Sequence, residues 1–266
     1  MPAPNPAASP VLRSAGRPMP NASTTRDPLD SPLWPSMAER YLGGLPAIFD
    51  DRVAVALPPV TEDQTQVPLT VDARAIGPVE ELLVIADLNP FPLTLRLVPT
   101  AAQAFVAFRM KIEQGTPIRA AARRDGLWHV GGRYLDAAGG GCSVPPVVEK
   151  KVDWRNLGRM RGRVWREAHD LRLRLRMTHP MDNGMIANVP LFIVETLTVS
   201  DASGRQLASL TLSEAIADDP TLTLLVAGPE TEALTVTARN TAGNDFRARA
   251  AVPPADAQSA EMQGRP

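Results

Sequence analysis

Leu171-Arg172-Leu173-Arg174-Leu175-Arg176-Met177 alternates apolar and charged side chains without a break. Successive side chains of a strand point to opposite faces of a sheet. This run therefore predicts a strand with one buried leucine face and one wet arginine face. Working outward, short apolar runs recur between clusters of turn-forming residues. Asn156 to Val164 predicts the preceding strand, and His179 to Asn188 a loop. Phe192 to Val199, Gln206 to Leu212, Thr221 to Val226, Ala233 to Ala238 and Asp245 to Ala251 predict further strands. Asp201-Ala202-Ser203-Gly204 and Asn240 to Asn244 carry the chemistry of the turns between them.

The first half reads the same way. Val53, Val55 and Leu57 alternate, Val67 to Val71 follows, and Glu81 to Ala86 (ELLVIA) is more continuously apolar, as in a strand covered on both sides or one at a sandwich centre. Leu93, Leu95 and Leu97, then Phe105 to Ile112 and Pro117 to Ala122, continue the series. Arg124-Asp125-Gly126-Leu127 is a hairpin turn into Trp128-His129-Val130. About seven short strands in some 90 residues with turns between them indicate a β-sandwich. One short helix is expected near Trp34 to Leu45, with Pro35 at its start and Gly43-Gly44 at its end.

Composition agrees. The 266 residues include 27 prolines and 18 glycines, with aromatics at 5%, which favours an all-β protein rich in turns over a helical bundle. A formal net charge of −1 gives no global reason to expect nucleic acid. No apolar run reaches the 18 residues of a membrane span. The first residues lack the basic and apolar regions of a secretory signal. The organisation expected is a disordered 1–30, a sandwich over 31–138, a linker over 139–153, a second sandwich over 154–253, and a disordered tail over 254–266.

Cys142, the one cysteine of the chain, lies in the linker after Gly139-Gly140-Gly141 and before Ser143-Val144-Pro145-Pro146. Three glycines free the backbone, and the prolines oppose regular structure. The expectation is a solvent-exposed thiol on a flexible arm (Gly139, Gly140, Gly141, Ser143) that holds a small intermediate covalently for partner enzymes.

Several segments together resemble a fusion of SoxY-like and SoxZ-like domains, the halves of the sulfur-oxidation carrier SoxYZ. They are Pro58 to Glu62, Val67-Pro68 to Val71, Asn89-Pro90 with Pro92, Phe108-Arg109 and Gly140-Gly141-Cys142. In the second half they are Gly158 to Val164, His179-Pro180-Met181-Asp182-Asn183-Gly184, Pro190 to Val199 and Asn240 to Gly243. The chain is similar to the class of quinoprotein dehydrogenase-associated SoxYZ-like carriers. The resemblance implies immunoglobulin-like sandwiches, a periplasmic protein, and a cysteine tip that swings between sulfur-oxidising or quinoprotein dehydrogenase partners with an anionic cargo. In separate SoxY chains the Gly-Gly-Cys-Gly stretch is a free end, whereas here a second domain tethers it on both sides.

Other chemistries fare worse. A Cys–His hydrolase from Cys142 with His129 or His179 and Asp182 needs locked geometry, which a glycine run opposes, so no catalytic residue is assigned. Met177, Met181 and Met185 do not share a helical face across Pro180 and Asn183-Gly184, so ordinary packing is preferred to copper. No zinc-ligand spacing occurs, and neither metal nor cofactor is assigned. His179, Asp182, Arg172, Arg174 and Arg176 are the candidate partner surface. The alternative function is a non-covalent binding or assembly module for a periplasmic quinoprotein dehydrogenase system.

Overall fold

A computed structural model describes residues 26–143, 154–227, 231–254, 257 and 259–265. In chain order its elements are α1 (Trp34–Tyr41), β1 (Ala47–Phe49), β2 (Ala54–Ala56), β3 (Val67–Asp72), β4 (Glu81–Ala86) and β5 (Leu93–Val98). Then come β6 (Ala102–Met110), β7 (Thr116–Arg124) and β8 (Leu127–Leu135). The second half contributes β9 (Met160–Arg166), β10 (Asp170–Met177), β11 (Val194–Ser200) and β12 (Gln206–Leu212). It ends with β13 (Thr221–Ala227), β14 (Ala233–Asn240), β15 (Asp245–Ala251) and β16 (Ser259–Arg265). Short 3-10 turns occur at Arg74–Ile76 and Trp154–Asn156. Among the described residues no helix is long and apolar enough to cross a membrane.

The leucine–arginine alternation becomes β10 in the expected orientation. Leu171, Leu173, Leu175 and Met177 are buried while Arg174 and Arg176 are exposed. The strand pairs antiparallel with β9 on one side and β13 on the other, in unbroken register. β4 is buried at all six positions, and the reason is two-sided cover. Leu82, Val84 and Ala86 enter the main core. Leu83 and Ile85 pack under α1 with Trp34, Leu42, Trp128 and Val130. Pro35 stands at the start of α1, and Gly43 and Gly44 leave it at positive φ. The Trp128 indole N–H donates to the Leu42 carbonyl at 3.0 Å, which ties the helix end to the sheet.

Sixteen strands form one hydrogen-bonded array, β1-β8-β7-β4-β5-β12-β11-β14-β15-β16-β9-β10-β13-β6-β3-β2. The first half supplies both flanks and the second half the central eight strands. Two antiparallel seams join them. At one, Leu97 of β5 opposes Leu210 of β12; at the other, Val106 of β6 opposes Leu224 of β13. The outermost strands, β1 and β2, are consecutive in sequence, so the array returns on itself. There the Val53 carbonyl approaches Gly131 of β8 so closely that a Cβ would stand 1.8 Å from its oxygen. One apolar cluster runs through both halves, from Leu82 and Val106 to Leu173, Leu224 and Leu234.

These findings establish a mostly β fold with one short N-terminal helix, in which the halves share ladders and core rather than meeting only through residues 139–153. Three local expectations change. β1 runs parallel to β8, an added strand that its three residues did not announce. Ser259–Arg265, inside the expected disordered tail, forms β16 between β15 and β9. Its register comes from two ladders, with Met262 buried, and its sequence lacks apolar alternation. Asp27, inside the expected disordered 1–30, grips the buried Arg119 guanidinium at 2.6 and 2.8 Å. Arg119 also pairs with Asp87 at 3.0 Å and lies over the Trp34 ring. Residues 1–25 of that segment and 144–153 of the expected linker lie outside the described residues.

A shared core predicts one cooperative transition. Urea unfolding followed by far-UV circular dichroism and by tryptophan fluorescence should give coincident midpoints. Leu224→Ala, in the β6–β13 seam, should cost about 2–5 kcal/mol and shift both signals together. Two separated transitions, with Leu224→Ala moving only one, would contradict the shared core.

Candidate functional site at the junction of the two halves

The segment after β6 carries Lys111, Ile112 and Glu113, and the chain leaving β8 lies back along it. Asn89 positions the first of these segments. Its side-chain amide donates to the Lys111 carbonyl, and its oxygen accepts from the Glu113 N–H, both at 2.9 Å. Gly140 N–H donates to the Glu113 carbonyl and Gly141 N–H to the Ile112 carbonyl, each at 2.9 Å. A Cβ on Gly139 would stand 2.5 Å from the Glu113 oxygen, and one on Gly141 2.2 Å from the Gln64 oxygen. Gly139 and Gly141 therefore serve close backbone approach. Gly139 and Gly140 also take positive φ. What reads in sequence as a flexible arm is a backbone hydrogen-bonded to its neighbours.

Cys142 follows with 2% of its surface exposed. Its N–H and that of the exposed Ser143 both donate to Glu113 Oε2 at 3.0 Å, and Ser143 Oγ donates to Glu113 Oε1. From the second half, Asn183 Nδ2 donates to the Cys142 carbonyl at 2.9 Å. Burial pushes the thiol pKa up to about 12; the Glu113 carboxylate adds to the rise and the Lys111 ammonium opposes it. At pH 7 roughly one molecule in 10⁵ would then carry a thiolate. This overturns the expectation of a solvent-exposed thiol that presents a covalent adduct. Cys142 behaves as a small buried apolar side chain instead.

The wall contributed by the second half is polar and fully partnered. Lys111, 7% exposed, donates to the Met181 carbonyl and pairs with Asp218 at 2.9 Å. His179 is 1% exposed, so it is not part of any surface, contrary to expectation. Its ring packs at a tilt of 31° against Phe192, centroids 4.6 Å apart, and its Nδ1 accepts from the Met181 N–H. Its backbone N–H donates to Asp219. Burial holds the imidazole pKa down at about 4, against the pull of Asp219 and Asp218. Asp182 is half-buried and exchanges backbone hydrogen bonds with Phe192. Met177 and Met181 are buried in the core, whereas Met185 is exposed.

Arg172, Arg174 and Arg176 lie on the outer face of β10 and make no hydrogen bond to Cys142. Arg172 pairs with Glu167 and Arg176 with Asp219. His129, the other histidine weighed as a base, sits 2.7 Å from Asp50 on β8. No hydrogen bond joins either histidine to the thiol among the described residues. Sequence reasoning assigned no role to Glu113 and Asn183, which hold the cysteine segment, or to Asn89 and Lys111 beside them. Asn89 and Asn183 did give a signal, as turn residues within the segments that carry the resemblance.

Two outcomes follow for this junction. At pH 8 Ellman's reagent should label native protein at under about 1% of its rate with free glutathione, with full labelling in guanidinium. Glu113→Ala, which removes the clamp on Cys142 and Ser143, should raise the native rate at least tenfold. Immediate stoichiometric labelling of the native protein would contradict the burial. The neutral, buried His179 makes stability fall with acid: the unfolded chain binds the proton near pH 6.5, the folded one only near 4. Stability is therefore full above about pH 6.5 and declines by up to about 3 kcal/mol as pH drops towards 4. His179→Gln should show a smaller loss between pH 7.5 and 4.5 in chemical denaturation; an unchanged loss would exclude His179 as its source.

Comparison with known families places both halves. Residues 38–142 match the family described as sulfur oxidation protein SoxY, with Cys142 as the last matched residue, and residues 165–251 match the one described as sulphur oxidation protein SoxZ. A search of curated proteins found no match. SoxY and SoxZ proteins are non-catalytic carriers or adaptors rather than enzymes. Joined by their shared ladders, the two matched regions make this chain a fusion of a SoxY-like and a SoxZ-like domain, consistent with a SoxYZ-type protein.

Proposed function

We propose that the protein is a non-covalent binding and assembly module of a periplasmic system, of the sulfur-oxidising or quinoprotein dehydrogenase type. The family matches support the setting, since SoxYZ proteins typically work in the periplasm with sulfur-oxidising partners. The observation that carries the reading is the closed junction. Cys142 is buried, its segment is clamped by Glu113, and Asn183 of the other half holds its carbonyl. A thiol in that state is a poor acceptor for an electrophilic group, while the seams around it hold two adaptor halves in one fixed relation. In this reading each half is an immunoglobulin-like unit, divided at 139–153, whose sheet edges are paired with the other half.

Cys142→Ala is the informative variant, because alanine keeps a small apolar side chain in a buried site. Native-host cells carrying Cys142→Ala as their only copy should oxidise substrate at the wild-type rate. Wild-type protein purified from substrate-fed cells should show its unmodified intact mass. A reductant-sensitive mass increase on Cys142, together with lost oxidation in the variant, would overturn the non-covalent reading.

A further inference from the structure

The outer face of β9 and β10 carries like charges in register. Arg161 stands opposite Arg176, and Arg163 opposite Arg174. Like charges directly across a ladder destabilise it, so two consecutive arginine pairs oppose folding unless something else uses them. All four are exposed, and with Arg109 of β6 they line a cleft of about 520 Å³ that also includes Trp165, Thr221, Asp218 and Asp219. A second cleft of about 290 Å³, sharing Arg161 and Arg176, continues the groove past Arg159 and Thr178.

The acidic groups nearby are already engaged. Asp219 pairs with Arg176, Asp218 with Lys111, Glu261 with Arg163 at 3.4 Å, and Glu167 with Arg172. Among the described residues no carboxylate pairs with Arg109, Arg161 or Arg174. The chain as a whole has a formal net charge of −1, so this positive field belongs to one face.

We propose that this face docks an extended acidic segment of a partner protein, with carboxylates at alternate positions. The proposal rests on the non-covalent adaptor reading and supplies its contact surface. Residues two apart on a strand lie about 6.7 Å apart. Alternate carboxylates of an extended segment have that same repeat, so they meet successive arginine rows and can bind guanidinium forks in bidentate fashion. Nucleic acid fits less well. The aromatic ring on this face, Trp165, has Arg172 over it at 4.4 Å and Arg163 at 6.0 Å, which leaves little open surface for base stacking.

Fluorescence anisotropy on the full chain in 50 mM salt tests this, with a labelled (Glu-Thr)₄ peptide and a Glu₄-Thr₄ peptide of equal charge. The alternating peptide should bind more tightly than the block peptide. Arg161→Gln/Arg174→Gln should weaken it at least tenfold without lowering the thermal midpoint, because both side chains are exposed and no carboxylate pairs with them among the described residues. Arg40→Gln/Arg133→Gln, with the same charge change on the first half, should leave the affinity unchanged. Equal binding of both peptides, equal loss in both double variants, or tighter binding of a dT₈ oligonucleotide would overturn the proposal. The test is independent of Cys142: a thiol adduct would defeat the adaptor reading alone, and a failed peptide titration would defeat the docking face alone.

Discussion

Two seams of backbone hydrogen bonds, β5 with β12 and β6 with β13, govern what the molecule can do. An exposed sheet edge is a row of unpaired donors and acceptors that invites another chain. Here the halves satisfy each other's edges within one polypeptide. The β6–β13 seam has a second consequence, because the chain beyond each strand continues the contact. Lys111 N–H donates to the Ala215 carbonyl and Ala217 N–H to the Arg109 carbonyl. Those bonds set Lys111 against Asp218 and Met181, and the same wall holds Asn183 against the Cys142 carbonyl. The burial of the thiol follows from the sheet.

Most of the β pattern was legible because period-two burial leaves a direct trace. Leu171 to Met177 and ELLVIA announced their strands, and the structure decides for two-sided cover of the second over a place at a sandwich centre. The trace fails where a strand has another source of register. β16 is held by ladders on both sides, with Met262 buried, and its sequence reads as tail. β1 is too short to show a period.

The cysteine segment misled for a different physical reason. Glycine admits both high mobility and very close packing, and sequence alone does not say which is used. Gly139-Gly140-Gly141 looked like freedom, yet the Glu113 carbonyl occupies the space where a Gly139 side chain would go, and the Gln64 and Ile112 carbonyls that of Gly141. The decisive partner, Glu113, lies 29 residues away in a stretch with no motif. His179 was chosen as a surface residue from its loop setting, but Phe192 and the Met181 backbone enclose it. The arginines of β10 were placed correctly as a wet face. Their register against Arg161 and Arg163 depends on how β9 and β10 align, which composition does not specify.

Amide hydrogen exchange at residues 140–142 tests the closed junction most directly. The N–H groups of Gly140, Gly141 and Cys142 all donate to acceptors on residues 112–113, so each should exchange orders of magnitude more slowly than an unstructured glycine-rich peptide. Exchange at the unstructured rate in the native protein would mean that the segment is open and that the burial of Cys142 does not describe its working state.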